Sequence, residues 1–135
     1  MEEVYNYLKA TETNFLTTRD GDGVSCRPFG YPVKCEGKLY MTTHDGKDVV
    51  KQLNANRHIC IVAYDPEQDT WMRIFCEAID DSDNVAPKQA FINEFDWAEE
   101  AGYTIDNPAF KSYYLANVKA ELRDCEGEVL ASYQF

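Results

Sequence analysis

Three cations are placed in the first half of this chain where they could act together: Arg27, Lys47 and Lys51, with the paired hydroxyls of Thr42 and Thr43 just before the two lysines. This set could hold a phosphate. Hydrogen bonds from charged donors to a phosphoryl group are worth roughly 1.5–3 kcal/mol each. A helix opening near Asp45 to Lys47 would add unpaired backbone N–H groups and a partial positive charge. Taken singly, each residue has an ordinary role: a lysine on a short helix is solvated, an arginine on a strand pairs with a carboxylate, and Asp45 caps a helix. Taken as a set, they point to a phosphate. The set requires the strand ending at Thr43 to lie beside the strand carrying Arg27.

That requirement matters because the chain is otherwise acidic. It has 13 Lys plus Arg against 24 Asp plus Glu, a formal net charge of −11. Such a field repels nucleic acid and anionic membranes, so any anion site must be a local cluster of cations. With 135 residues, 44% hydrophobic and 13% aromatic, the chain can bury one proper core, and it reads as a single domain spanning 1–135. No apolar run approaches the roughly 20 residues needed to span a bilayer. The acidic Met1-Glu2-Glu3 start lacks the basic region of a signal peptide. Five scattered cysteines, never spaced C-x-x-C, suit buried thiols in a reducing compartment, and the expected location is cytoplasmic.

The elements that must position the cations follow from periodicity. Val4, Tyr5 and Leu8 mark a short amphipathic helix over 2–10. Phe15 to Arg19 is a strand, and Asp20-Gly21-Asp22-Gly23 is a hairpin turn. Val24 to Cys35 is a second strand, but Pro28 and Pro32 place it at an edge, bulged or split. Leu39 to Thr43 is a third strand, and Asp45 to Ala55 is a helix with Val49, Val50 and Leu53 as its apolar stripe. The unbroken apolar run Ile59 to Tyr64 reads as a strand buried on both faces. In Trp71 to Ile79, alternation sends Met72, Ile74, Cys76 and Ala78 to the core. Trp71, Arg73, Phe75, Glu77 and Ile79 fall on a face too aromatic for plain solvent and too charged for a core, which suits a subunit interface or a ligand. A helix over 84–95, a loop with broken helix over 96–107, a half-buried strand over 114–123 and a last strand from Val129 complete the chain. About seven strands with hairpin connections and few helices give a mainly β antiparallel barrel.

Other chemistries are poorly supported. His44 and His58 lack a carboxylate or cysteine at ligand spacing, so no metal or haem site is expected. Asp80-Asp81-Ser82-Asp83 lacks the glycine and glutamate of a calcium loop. Ser25 and Cys26 have no base nearby in sequence to make either a nucleophile.

Taken together, Phe15-Leu16-Thr17-Thr18, Cys26-Arg27-Pro28-Phe29-Gly30, Gly37-Lys38-Leu39-Tyr40-Met41-Thr42-Thr43, Lys47-Asp48-Val49, Gln52-Leu53 and Trp71-Met72-Arg73-Ile74 resemble the pyridoxamine 5'-phosphate oxidase-like family of FMN-binding split barrels. The resemblance is to its small stand-alone, nitroimidazole-resistance-type members, and it runs from about residue 15 to the end. It implies a six- to seven-stranded Greek-key split barrel with a few short flanking helices, forming a homodimer with FMN at the subunit interface. Arg27 would reach the flavin or its phosphate, and the backbone around Pro28 and Phe29 would lie along the ring. Thr42 or Thr43 would bond the ribityl phosphate, Lys47 would be the phosphate cation, and Lys51 would be a further candidate. Trp71 would meet the flavin from the partner subunit, with Phe135 as a second aromatic neighbour. A flavin-dependent oxidoreductase drawing on a nicotinamide or similar donor is implied. The alternatives are a module that binds flavin, deazaflavin or haem without turnover, and a barrel dimer with a purely structural role. The arginine and histidine that hold the vitamin substrate in the classical oxidases have no counterpart before Phe135, so pyridoxamine 5'-phosphate oxidation is not expected.

Overall fold

A computed structural model describes residues 1–135. Eight antiparallel strands form one curled sheet: β1 (Thr13–Asp20), β2 (Gly23–Gly30), β3 (Val33–Cys35), β4 (Lys38–His44), β5 (His58–Asp65), β6 (Thr70–Asp80), β7 (Phe110–Asp124) and β8 (Val129–Gln134). Their order is β2-β1-β5-β6-β7-β4-β3, with β8 added to β7. Helix α1 (Glu2–Thr11) and helix α2 (Asp48–Ala55) pack into the barrel core through Val4, Tyr5, Leu8, Val49, Val50 and Leu53. Helix α3 (Val85–Glu94) caps a second, smaller cluster around Val33, Phe91, Ala98 and Phe110. The expected antiparallel split barrel with short flanking helices is the observed fold.

The strand count is one higher than expected because the long strand over 24–35 breaks in two. Tyr31 adopts φ 60°, outside the extended region, and Pro32 follows with no N–H to pair. Gly30 is tightly packed: a Cβ there would stand 3.0 Å from the Glu12 carbonyl oxygen, and that backbone would have to give by a few tenths of an ångström. The break has a topological result. The segment after it, β3, pairs with β4, as expected for the strand ending at Thr43. The segment carrying Arg27, β2, pairs with β1 alone. Arg27 and the threonines therefore face each other across the split and not across a ladder.

Two further expectations are corrected. Helix α2 begins at Asp48, with Lys47 in extended conformation as its N-cap residue, so Asp45 does not cap it; the Asp45 carboxylate instead accepts from the Gly46 amide at 2.9 Å. Strand β5 is not covered on both faces. Ile59, Ile61 and Ala63 are buried, while Cys60 and Val62 are half-buried and Tyr64 is 51% exposed. The outer row formed by these residues continues across the sheet to Phe15, Trp71, Arg73 and Phe75.

Candidate functional site: a cationic slot under an aromatic roof

The split between β2 and β4 opens into a cavity of about 320 Å³. Its floor and sides come from Arg27, Pro28, Phe29 and Gly30 on β2, Thr42 and Thr43 on β4, and Lys47 and Val49 at the start of α2. Its roof is aromatic: Tyr31, Phe91, Trp97 and Tyr103. Of the residues singled out from the sequence, six converge here: Arg27, Pro28, Phe29, Thr42, Thr43 and Lys47. Lys51 does not. It lies beside Arg19, Asp20 and Asp48 in a separate surface depression. Trp71 also lies elsewhere, on the outer face of β6, where its indole N–H donates to the Asp124 carbonyl at 3.0 Å. Phe135 packs half-buried against the barrel core.

Arg27 pairs in register with Leu16, so its side chain rises on the barrel's inner face. A guanidinium there must find partners. It donates to the Thr18 hydroxyl at 2.8 Å, to the Leu16 carbonyl at 3.3 Å and to the Gln52 side-chain oxygen at 2.5 Å. None of these is a carboxylate, so its charge is solvated by dipoles and not cancelled. Lys47 is exposed at the cavity rim and pairs with no acid. No side chain caps α2, which leaves its first amides beside Lys47 without a side-chain acceptor. Thr42 and Thr43 are 7% and 2% exposed, and both reach the cavity. The slot thus offers two cations, two hydroxyls and a helix start, in a chain whose net charge is −11. Asp48 in the first turn of α2 partly offsets them.

The roof is not legible in the sequence as a site. Residues 95–109 contain no long element, yet Tyr31 packs edge-on against Phe95 and Trp97, with centroids 5.1 and 4.9 Å apart. Phe91 meets Tyr103 at 4.9 Å. Burial pushes the Tyr103 phenol above its ordinary pKa, so it stays a neutral hydroxyl at physiological pH. Two hydrogen bonds from and to Asn107 fix this segment: its amide donates to the Gly102 carbonyl at 2.7 Å and its oxygen accepts from the Ala109 amide at 3.0 Å. The one signal in the sequence is the density of Phe91, Phe95, Trp97 and Tyr103 in an otherwise acidic stretch. Thr18 and Gln52, which hold Arg27, belong to the family-like pattern, but nothing in the pattern gives them a role.

No family model matches the sequence, and no curated protein does. Solved structures do. A NimC/NimA family protein from Clostridium acetobutylicum superposes with a TM-score of 0.90 at 24% identity, over 100% of this chain and 93% of that one. A protein from the same organism, related to general stress protein 26 and described as of the pyridoxinephosphate oxidase family, gives 0.71 at 15% identity, over 99% and 92%. A pyridoxamine 5'-phosphate oxidase-related, FMN-binding protein from Nostoc punctiforme gives 0.69 at 13% identity, over 99% and 93%. The chain therefore has the split-barrel fold of these proteins, the fold its sequence pattern implied. No helix is long and apolar enough to cross a membrane.

Proposed function

We propose that the slot seats the phosphate and part of the ring of FMN, and that the protein is a dimeric flavin-dependent oxidoreductase. The supporting observation is the meeting of Arg27, Lys47, Thr42 and Thr43 in one cavity roofed by aromatic rings. The donor set suits a dianionic phosphoryl group, and the flat aromatic walls suit a planar heterocycle. FMN supplies hydride and electron transfer when bound; the chain's own residues bind it, exclude water and keep positive charge nearby. Nothing in the slot is a free carboxylate or imidazole placed as a general base, which suits that division of labour.

Size supports the dimer. Ligand pockets run from roughly 300 to 1,000 Å³, and this one is at the lower end, so a whole flavin needs a second wall. The outer face of the sheet can supply it. Phe15, Tyr64 and Phe75 are each about half exposed there, and Arg73 lies against the Trp71 and Phe75 rings, with centroids 5.5 and 5.3 Å away. An apolar, aromatic patch of this kind is what a second copy of the chain would cover. Trp71 would then approach the flavin of the partner protomer. Five free cysteines suit a cytoplasmic location.

The test is the absorption spectrum of purified protein with and without added FMN, followed by anaerobic addition of NADH or NADPH. A bound flavin that is bleached supports the oxidoreductase. A bound flavin that is reduced by neither, and by no other physiological donor, leaves a carrier or sensor. A colourless protein that does not bind FMN rules out the proposal.

A further inference from the structure

The Gln52 side chain performs a task the slot requires. Resting on the FMN reading above, we infer that Gln52, together with Thr18, is a positioning pair that holds Arg27 as an uncompensated cation for an anionic ligand. Gln52 Oε1 accepts from Arg27 Nη2 at 2.5 Å and from the Thr18 hydroxyl at 2.5 Å. Thr18 in turn accepts from Arg27 Nη1 at 2.8 Å. The three groups close a ring between β1, β2 and α2. An arginine has only donors, so the Gln52 atom facing it is the oxygen. The single Thr18 proton goes to Gln52, since its other acceptor, the Ser25 carbonyl, is 3.5 Å away.

What is informative is that position 52 is an amide. Arg57, Arg73 and Arg123 each pair with a glutamate, as arginines in so acidic a chain readily do. Arg27 pairs with none; neither does Arg19, but that side chain is exposed to solvent, whereas Arg27 is half-buried in the wall of the slot. A glutamate at 52 would accept the same two hydrogen bonds and add the ion pair that Arg57, Arg73 and Arg123 have. It would hold Arg27 at least as firmly, but it would cancel the positive charge facing the cavity. Thr18 is only 1% exposed, so the ring is anchored in the wall of the barrel and not in solvent. Fixing the guanidinium is thus separable from neutralising it, and this chain does the first without the second.

Q52E separates the two roles. FMN affinity is measured by flavin-fluorescence titration of apo-protein, with the thermal midpoint of the apo-protein and the reduction potential of the bound flavin as independent readouts. The expected result is an unchanged or higher apo midpoint, FMN binding weakened about tenfold or more, and a lower flavin potential, because added negative charge disfavours the reduced anion. T18V keeps the charge and removes the two bonds of the Thr18 hydroxyl, only one of them to Arg27, and should weaken FMN less than Q52E does. If Q52E binds FMN as tightly as wild type with an unshifted potential, Gln52 is only a structural contact and the inference is overturned. If Q52E does not fold, T18V and Q52M decide it: loss of affinity in both supports positioning, and wild-type affinity in both overturns it. Failure of wild-type protein to bind FMN would instead overturn the reading on which this rests.

Discussion

His44 and Tyr103 stack ring on ring, with centroids 4.1 Å apart and planes 19° from parallel. This contact ties the end of β4, just past Thr42 and Thr43, to the segment that supplies the aromatic roof. Replacing Tyr103 by alanine removes a half-buried ring from the second aromatic cluster. The expected cost is about 3 kcal/mol, the low end for aromatic truncation in a core, read by urea denaturation. FMN affinity should fall with it, since the cavity loses one wall.

Gly102 sits at φ 89°, and a Cβ added there would have His44 Cε1 as its nearest neighbour, at 3.5 Å. Space is adequate; backbone conformation is not. Gly102→Ala should therefore cost roughly 1–2 kcal/mol through strain alone. Denaturation curves for G102A and wild type would measure it, and equal midpoints would contradict it.

Arg27→Ala and Lys47→Ala each remove a cation from the slot. At roughly 1.5–3 kcal/mol per charge-assisted bond, each should weaken FMN about 10- to 100-fold. Lys51→Ala, which alters a neighbouring depression, should change affinity by less than about threefold. Titration calorimetry on the three variants distinguishes a phosphate seat from a diffuse field.

Phe75 is 51% exposed at the centre of the outer aromatic face. A stable dimer covering that face would bury about 2,000 Å² or more in total. Phe75→Asp should convert a micromolar dimer into monomer by light scattering. A wild-type monomer at that concentration would remove the second wall from the proposed flavin seat.

Glu77 accepts from Asn117 and from Arg57, the latter at 2.7 Å. These bonds, Asn117 first, hold its carboxyl below its ordinary value of 4.5. A depressed folded-state pKa adds stability that is complete above the unfolded value and lost as pH falls through the folded one. Glu77→Gln should thus flatten the loss of stability as pH falls through and below 4.5, while leaving the slope near neutrality unchanged. Denaturation midpoints across that range are the measurement.

Local chemistry makes part of this molecule legible from its residues. The prolines at 28 and 32 foretell the break between β2 and β3, and alternation in the Trp71 strand separates core from outer face. Six cavity residues are identifiable because each lies in or beside a strand or helix whose pattern is strong. Lys51 is misplaced by the same logic, because helical spacing puts it one turn from Lys47 without saying which side of α2 meets the slot. The apolar run in β5 reads as doubly buried, but Val62 and Tyr64 belong to the outer face, which no other element of the chain covers. Tyr31, Trp97 and Tyr103 escape a reading of the sequence because their assembly depends on tertiary packing of an irregular segment. Gln52 is visible there without a role, since its meaning comes from what it is not, a glutamate beside Arg27.

The gap between β2 and β4 has a mechanical corollary. β2 exchanges backbone hydrogen bonds with β1 only, so its free edge borders the slot without any rungs to be cut. A guest wedged between them displaces side chains and solvent while every rung of the sheet stays intact. Loading and unloading can therefore proceed without local unzipping, and a guest should slow amide exchange along β1 and β5 only as far as it stabilises the whole fold, with no protection particular to those strands.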